Sequence, residues 1–210
     1  MRKLSSRLLV VTDRHQTKGR PLEAILEKVL AAGSPVIQLR ERDLAPRALL
    51  ALARTVQTLA TQKRSHLVIN DRIDLALVLD GVGVHLRSNS LPVSVARRLL
   101  GEQRLLGVSA HSLDEAVQAE AQGADYVVLG PVYETPSKQA FGAPLGLERV
   151  EEVCRCVRIP VIGIGGVTPA RARDVRRAGA FGVAVITAIL GATDVEAAAR
   201  EMLDAVSADP

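Results

Sequence analysis

The chain has 210 residues and a formal net charge of +4, a size that fits one domain with a substantial core. Apolar residues make up 48% and charged residues 24%, which excludes a largely disordered protein. Two Tyr, two Phe and no Trp leave too few rings for the stacking platforms that bind single-stranded nucleic acid. The apolar run at 8–11 is too short for a signal peptide or a membrane span. We therefore expect a cytoplasmic protein with no membrane or nucleic-acid partner.

Short apolar runs alternate with longer helical patterns along the whole chain. The apolar runs predict strands at 8–11, 36–39, 67–69, 83–86, 105–108, 126–129, 160–164 and 182–186. The helical patterns predict helices at 22–32, 46–62, 73–79, 92–100, 147–157 and 194–206, and two more that begin at Ser112 and Thr168. A long loop is predicted at 130–146, between the sixth strand and its helix.

A helix follows each predicted strand, which indicates parallel strands joined by right-handed crossovers. The strand runs are apolar throughout rather than alternating, as is typical of strands that are covered on both faces. Eight such units predict a single (βα)₈ TIM barrel over residues 1–210, with an open, doubly wound sheet as the alternative. A homo-oligomer is compatible with this organisation.

Polar residues recur where the predicted strands end, which is where a TIM barrel places its active site. In chain order these residues are Gln38, Arg40, Glu41, Asn70, Asp71, His85, Ser109, His111, Thr135, Ser137, Lys138, Gly165 and Gly166. Because they come from several strands, we expect them to converge on one face of the barrel. The modest excess of positive charge fits small phosphorylated substrates at that face.

Two of these segments predict anion binding, each with a structural alternative. Gly166 lies in the turn after the seventh strand, where backbone N–H groups bind phosphate or simply form a tight turn. Arg40 has the same parity as Gln38 on the second strand, so both side chains are expected at the barrel mouth. A buried arginine needs an anion, which is either a substrate phosphate or a carboxylate such as Glu41 or Asp71.

For three further residues, the sequence permits either a chemical role or a structural one. Asn70 and Asp71 offer oxygen ligands for a divalent metal, or cap the helix that follows them. His111 is either a general acid and base or a surface residue at a helix start.

Five segments of the chain resemble the motifs of a known family. The segments that carry the resemblance are 36–41, 69–72, 107–111, 130–138 and 163–167, which occur in the same order and span nearly the whole chain. They are similar to the motifs of thiamine-phosphate synthase and of its sister enzyme, thiazole tautomerase. The resemblance implies a (βα)₈ barrel, in agreement with the count of strands and helices.

The resemblance also implies a reaction and a set of site residues. A synthase condenses a hydroxymethylpyrimidine diphosphate with a thiazole phosphate, giving thiamine phosphate and diphosphate, and Mg²⁺ assists. By position, the resemblance assigns the diphosphate to Gln38, Arg40, Asn70 and Lys138, magnesium to Asp71, the reacting centre to Ser109, the thiazole to Thr135 and Ser137, and its phosphate to Gly166, Ile186 and Thr187.

One segment departs from the synthase pattern. Synthases carry an aspartate, their second magnesium ligand, where this chain has Ser90, and Arg87 adds a positive charge nearby. This departure favours the sister activity, tautomerisation of a thiazole carboxylate phosphate, which needs no metal and would use His111 as its acid and base. A non-catalytic regulator that binds thiazole phosphate is the third alternative.

Overall fold

The computed structural model describes residues 4–135 and 143–208. Within these ranges, eight parallel strands close into a barrel in chain order, with β8 paired to β1, so the predicted (βα)₈ TIM barrel is confirmed. The strands are β1 (Leu8–Val11), β2 (Val36–Leu39), β3 (Leu67–Asn70), β4 (Gly83–Leu86), β5 (Leu106–Ala110), β6 (Tyr126–Leu129), β7 (Val161–Ile164) and β8 (Gly182–Val185).

Helices cover the outside of this barrel. They are α1 (Leu22–Ala32), α2 (Pro46–Gln62), α3 (Ile73–Leu77), α4 (Val93–Leu100), α5 (Leu113–Ala121), α6 (Gly146–Cys156), α7 (Pro169–Arg177), α8 (Thr187–Leu190) and α9 (Val195–Ser207), with a 3₁₀ turn at Arg14–Gln16. Within the described part of the chain, no helix is long and apolar enough to cross a membrane.

Several predicted elements begin or end one or two residues from their observed bounds, as α3 ends at Leu77 and not at residue 79. Two differences affect the site. β5 begins one residue later than predicted and continues to Ala110, because Ser109 and Ala110 pair with Val128 and Leu129 of β6. Ser109 therefore belongs to a strand and not to the loop that follows it. β8 is followed by two helices, since the short α8 precedes α9. A helix of four residues is too short to produce a helical periodicity in the sequence.

The core has two layers, because successive residues of a strand face opposite sides of the sheet. One layer joins the strands to the surrounding helices, and the other fills the inside of the barrel. The inner layer contains Leu9, Val11, Val36, Val68, Tyr126, Val128, Ile162 and Ala184. Aliphatic side chains form most of this layer, as the low aromatic content requires.

Gly107 makes room for the ring of Tyr126 in the inner layer. A Cβ atom at residue 107 would lie 2.0 Å from Cζ of Tyr126, closer than any side chain tolerates. A glycine inside a strand often marks such a close approach. The fully buried Tyr126 ring thus occupies space that a side chain on β5 would otherwise fill.

Candidate active site

The inner positions near the C-terminal ends of β2 to β5 are polar. The strand register places Asn70 of β3 beside His85 of β4, and His85 beside Gly107 of β5. Ser109 has the same parity as Gly107, and Gln38 of β2 also faces inward by its parity with Val36. The side chains of these strands therefore meet at one end of the barrel.

Gln38 and Asn70 form a buried amide pair. The Nε2 atom of Gln38 donates to Oδ1 of Asn70 at 3.1 Å, and only 3% of Gln38 is exposed. A buried amide needs such a partner, because an unsatisfied polar group costs about 1–3 kcal/mol. The bond fixes which edge each amide presents to the barrel mouth.

His85 connects the inner core to the mouth of the barrel. Its Nδ1 atom lies 3.2 Å from the Tyr126 hydroxyl, and its Nε2 atom lies 3.0 Å from Oγ of Ser109. Complete burial lowers the pKa of His85 to about 3, so the imidazole is neutral at physiological pH. Burial also raises the pKa of Tyr126. A neutral chain of hydrogen bonds thus orients the Ser109 hydroxyl.

Arg40 is a half-buried cation at the end of β2. Its backbone N–H donates to Oγ1 of the buried Thr12 at 2.9 Å, which holds the residue against β1. Burial is the largest cause that lowers the pKa of Arg40; the like charges of Arg42 and Arg87 act in the same direction, and the carboxylates of Asp13 and Glu41 oppose them. The guanidinium therefore lies among charges of both signs, and the effect of burial prevails.

The carboxylates that were alternative partners for Arg40 are bound elsewhere. Glu41 accepts from the backbone N–H and from Nη1 of Arg14, both at 3.2 Å, and Asp71 pairs with Arg87. Within residues 4–135 and 143–208, no carboxylate forms an ion pair with Arg40. Its charge is consequently available to an anion from outside the protein.

Asp71 has a left-handed backbone conformation, with φ at +57°, at the end of β3. One carboxylate oxygen, Oδ2, accepts from Nε of Arg87 at 2.8 Å and from its Nη2 at 2.5 Å. The other oxygen, Oδ1, accepts from the hydroxyl of Ser90. Asp is among the residues that tolerate this conformation, which turns the carboxylate toward the end of β4.

These contacts test whether the described residues fit a magnesium ion. Both oxygens of Asp71 are occupied, and Ser90, at the position of the second ligand, donates to Asp71 instead of offering a carboxylate. No group of three or more His, Cys, Asp or Glu side chains among the described residues is placed to hold a metal. As arranged, the predicted ligand Asp71 is held by Arg87 and Ser90 and does not have beside it the second carboxylate that the resemblance implies.

A cavity of about 260 Å³ opens beside this ion pair. Its lining is Glu41, Arg42, Leu44, Leu49, Asn70, Asp71, Arg72 and Arg87. The lining carries three arginines and two carboxylates, so it has a small excess of positive charge. Arg87 pairs with Asp71 and Arg72 pairs with Asp74, whereas Arg42 forms no ion pair with a described residue. The lining thus combines a buried amide with cations, which suits a polyanionic ligand.

The turn after β7 contains two glycines in conformations that favour glycine. Gly165 and Gly166 have φ values of +102° and +63°, and a Cβ on Gly166 would lie 2.5 Å from the carbonyl oxygen of Glu134. Arg171 donates to the Gly166 carbonyl at 2.7 Å and stacks 4.5 Å from the ring centroid of Tyr133. Residue 166 needs a positive φ and space where a Cβ atom would lie, and only glycine satisfies both requirements.

The other residues that the resemblance assigns to the thiazole phosphate lie at the adjacent strand end. Ile164 of β7 pairs with Ala184 of β8, so the turn after each strand is next to the other. Ile186 follows β8 and is half-buried, and the exposed Thr187 begins α8. The structure thus brings the backbone at Ile186 and Thr187 to the side of the mouth where Gly166 lies.

His111 lies just beyond the end of β5 and is exposed. Its Nδ1 atom lies 2.5 Å from the carbonyl oxygen of Gly130, and its backbone N–H donates to Glu115 at 2.6 Å. A carbonyl only accepts, so Nδ1 is the donor in this contact. His111 is thus anchored to the residue that follows β6, and no residue in the described ranges bonds its Nε2 atom.

Only part of the long loop at 130–146 is described. Thr135 is half-buried, whereas Ser137 and Lys138 lie outside the described residues. The N-terminal side of the loop is tied to β7, since the backbone N–H groups of Val132 and Tyr133 donate to Ile164 and Gly165 at 2.8 and 3.1 Å. These bonds hold the loop beside the glycine turn.

Sequence reasoning did not single out Thr12 or Tyr126 as site residues. Thr12 holds the backbone of Arg40, and Tyr126 holds His85, so both act on side chains at the mouth. For Tyr126 the sequence does contain a signal, because Gly107 inside an apolar strand marks a close neighbour. No local pattern distinguishes Thr12 from any threonine at a strand end.

Comparisons with known proteins agree with this geometry. Residues 8–189 match the family model described as thiamine monophosphate synthase. The thiamine-phosphate synthase of Chloroflexus aurantiacus is 43% identical over 201 residues, which cover 96% of this chain and 93% of that protein. The thiamine-phosphate synthase of Moorella thermoacetica is 44% identical over 200 residues, which cover 95% of each.

Among solved structures, thiamine phosphate pyrophosphorylase from Pyrococcus furiosus superimposes with a TM-score of 0.87 at 33% identity, covering 96% of this chain and 95% of that one. Barrels of other activities are similar only in fold, such as 3-hexulose-6-phosphate synthase, with a TM-score of 0.70 at 19% identity. The full-length match in sequence and the close match in structure identify this chain as a member of the thiamine monophosphate synthase family.

Proposed function

We propose that this protein is a thiamine-phosphate synthase, which condenses hydroxymethylpyrimidine diphosphate with thiazole phosphate. The observation that carries the proposal is the half-buried Arg40, whose guanidinium has no carboxylate partner among the described residues. A cation in such a place needs an anion from solution, and the substrate diphosphate supplies one. The names of the relatives, which are synthases, support the same activity.

The reaction develops negative charge on its leaving group. The bond between the pyrimidine methylene carbon and the diphosphate oxygen breaks, and its electron pair leaves with the diphosphate. The thiazole nitrogen then donates its lone pair to the methylene carbon. Arg40 stabilises the departing charge electrostatically, while the hydrogen-bonded amides of Gln38 and Asn70 orient the diphosphate. The resemblance adds Lys138 to this set, outside the described residues.

The second substrate occupies the opposite side of the mouth. The glycine turn at Gly166 and the backbone at Ile186 and Thr187 bind the thiazole phosphate, and Thr135 and Ser137 hold its ring. Ser109, held by the neutral His85, lies beside the reacting centre. In this arrangement the two anionic groups bind at separate strand ends, so the reacting atoms meet between them.

No step of this proposal passes through magnesium, because Asp71 is bound to Arg87 and Ser90. The alternatives are a thiazole tautomerase with His111 as acid and base, and a regulator that binds without turnover. No described residue bonds the Nε2 atom of His111, so its geometry serves either enzyme. The names of the matching relatives favour the synthase.

The test is a product assay on the purified protein. The pyrimidine diphosphate and the thiazole phosphate are mixed with enzyme, with Mg²⁺ or with EDTA, and thiamine phosphate is quantified. The proposal expects enzymatic turnover, and Arg40→Lys should retain part of it. Absence of product from folded protein that binds thiazole phosphate would refute the synthase, and isomerisation of the thiazole carboxylate phosphate would establish the tautomerase instead.

The proposal includes the organisation of the chain. The barrel elements extend from Leu8 to Ser207, which supports a single domain. The arginines at the mouth of the barrel support small phosphorylated substrates as its ligands. Cys154 and Cys156 are free thiols, which supports a reducing, cytoplasmic location.

A further inference from the structure

Asp71, Arg87 and Ser90 form a closed set of hydrogen bonds at the mouth of the barrel. Arg87 donates two bonds from its side chain to Oδ2 of Asp71, at 2.8 and 2.5 Å. Ser90 donates to Oδ1 of Asp71 and accepts from the backbone N–H of Arg87 at 2.9 Å. Each member therefore fixes the other two, and the guanidinium is held in one orientation.

The guanidinium of Arg87 retains donors that no described residue uses. Its Nε and Nη2 atoms bind Asp71, whereas no acceptor for Nη1 occurs among residues 4–135 and 143–208. The side chain is 42% exposed and lines the 260 Å³ cavity together with Arg42 and Asn70. An anion in this cavity would thus find a pre-oriented donor next to the amide assigned to the diphosphate.

The net charge of this set of residues can be compared with that of the two-aspartate pattern of the synthases. In the pattern that the resemblance implies, two aspartates and one divalent cation sum to a neutral cluster. In this chain the second aspartate is Ser90, and one arginine balances the single remaining carboxylate of Asp71. The local net charge is unchanged, but the cation is now covalently part of the protein.

We propose that Arg87, braced by Asp71 and Ser90, binds the diphosphate of the substrate directly and replaces the divalent cation in that role. The choice of diphosphate as ligand rests on the proposed function. Arg87 and Asn70 line the same cavity, so one bound diphosphate can contact both side chains. Serine suits residue 90, since its hydroxyl donates to Asp71, whereas an aspartate there would repel that carboxylate.

The first experiment measures binding of inorganic diphosphate by calorimetry, in EDTA and in Mg²⁺. We expect the wild-type protein to bind diphosphate in EDTA. Arg87→Gln should weaken that binding about tenfold or more, as expected for lost hydrogen bonds to a charged group. Arg87→Lys keeps the charge but not the planar set of donors, so its affinity for diphosphate should lie between that of the wild type and that of Arg87→Gln. The matched control is Arg98→Gln, an exposed arginine on α4, which should bind as the wild type does.

The second experiment rebuilds the two-carboxylate pattern. The double variant Arg87→Gly with Ser90→Asp should lose diphosphate binding in EDTA and recover it in Mg²⁺. Wild-type binding that requires Mg²⁺, or equal binding by Arg87→Gln, would overturn the inference. So would a double variant that still binds in EDTA. Because binding is measured without turnover, a wild-type protein that binds diphosphate through Arg87 but makes no thiamine phosphate would refute only the proposed function.

Discussion

The low pKa of the buried His85 predicts that acid lowers the free energy of unfolding of this barrel. Burial lowers its pKa to about 3 in the folded protein, whereas an exposed histidine in the unfolded chain titrates near 6.5. Between these values the unfolded state binds a proton that the folded state does not, so the free energy of unfolding falls as the pH falls. Each pH unit below 6.5 removes about 1.4 kcal/mol. Acidification from pH 7 to pH 5 should thus cost about 2 kcal/mol through His85 alone.

Urea denaturation at pH 7 and pH 5 measures this effect when the wild type is compared with His85→Gln. Glutamine has no titrating group, and its amide still offers a donor and an acceptor to Tyr126 and Ser109. Contributions from carboxylates and other histidines cancel in the comparison. The variant should start less stable and lose about 2 kcal/mol less on acidification. An equal loss in both proteins would show that His85 does not resist protonation in the folded barrel.

Three substitutions test the site and the core separately. Arg40→Ala should lower kcat/KM by about 100-fold while the free energy of unfolding changes by no more than about 0.5 kcal/mol; wild-type turnover would remove Arg40 from the site. Gly166→Ala places a Cβ 2.5 Å from the carbonyl oxygen of Glu134, so calorimetry should detect weaker thiazole phosphate binding, and unchanged affinity would exclude the turn. Gly107→Ala forces the ring of Tyr126 aside and should cost about 3 kcal/mol in urea denaturation; a loss under about 1 kcal/mol would contradict this packing.

The fold follows from the sequence because parallel strands buried on both faces read as continuous apolar runs. Such runs identified all the strands, and the capping residues Ser112 and Thr168 located two helix starts that the structure contains. The short α8 and the end of β5 were missed for different physical reasons. The four residues of α8 are too few to show a helical periodicity, and the end of β5 depends on pairing with a distant segment, since Ser109 joins β6 through Val128.

The candidate site is partly encoded in local pattern and partly in contacts between distant residues. Parity alone places Gln38 and Arg40 on one side of β2. The partner of Glu41 is Arg14, which is 27 residues away, and no rule of spacing indicates this pairing. The bond between Arg87 and Asp71 likewise needs the left-handed backbone at residue 71 and the turn before Ser90.

The ring of Tyr126, which lies close to Gly107 inside the barrel, can serve as a fluorescence probe of folding. The chain has two tyrosines and no tryptophan, so tyrosine fluorescence is free of energy transfer to indole. Tyr126 lies inside the barrel against His85, whereas Tyr133 stacks on Arg171 beside the glycine turn. During refolding, emission from a Tyr133→Phe variant follows the closure of the barrel around one ring. Emission from Tyr126→Phe follows the ordering of the glycine turn, so the two variants report separately on the inside of the barrel and on the turn after β7.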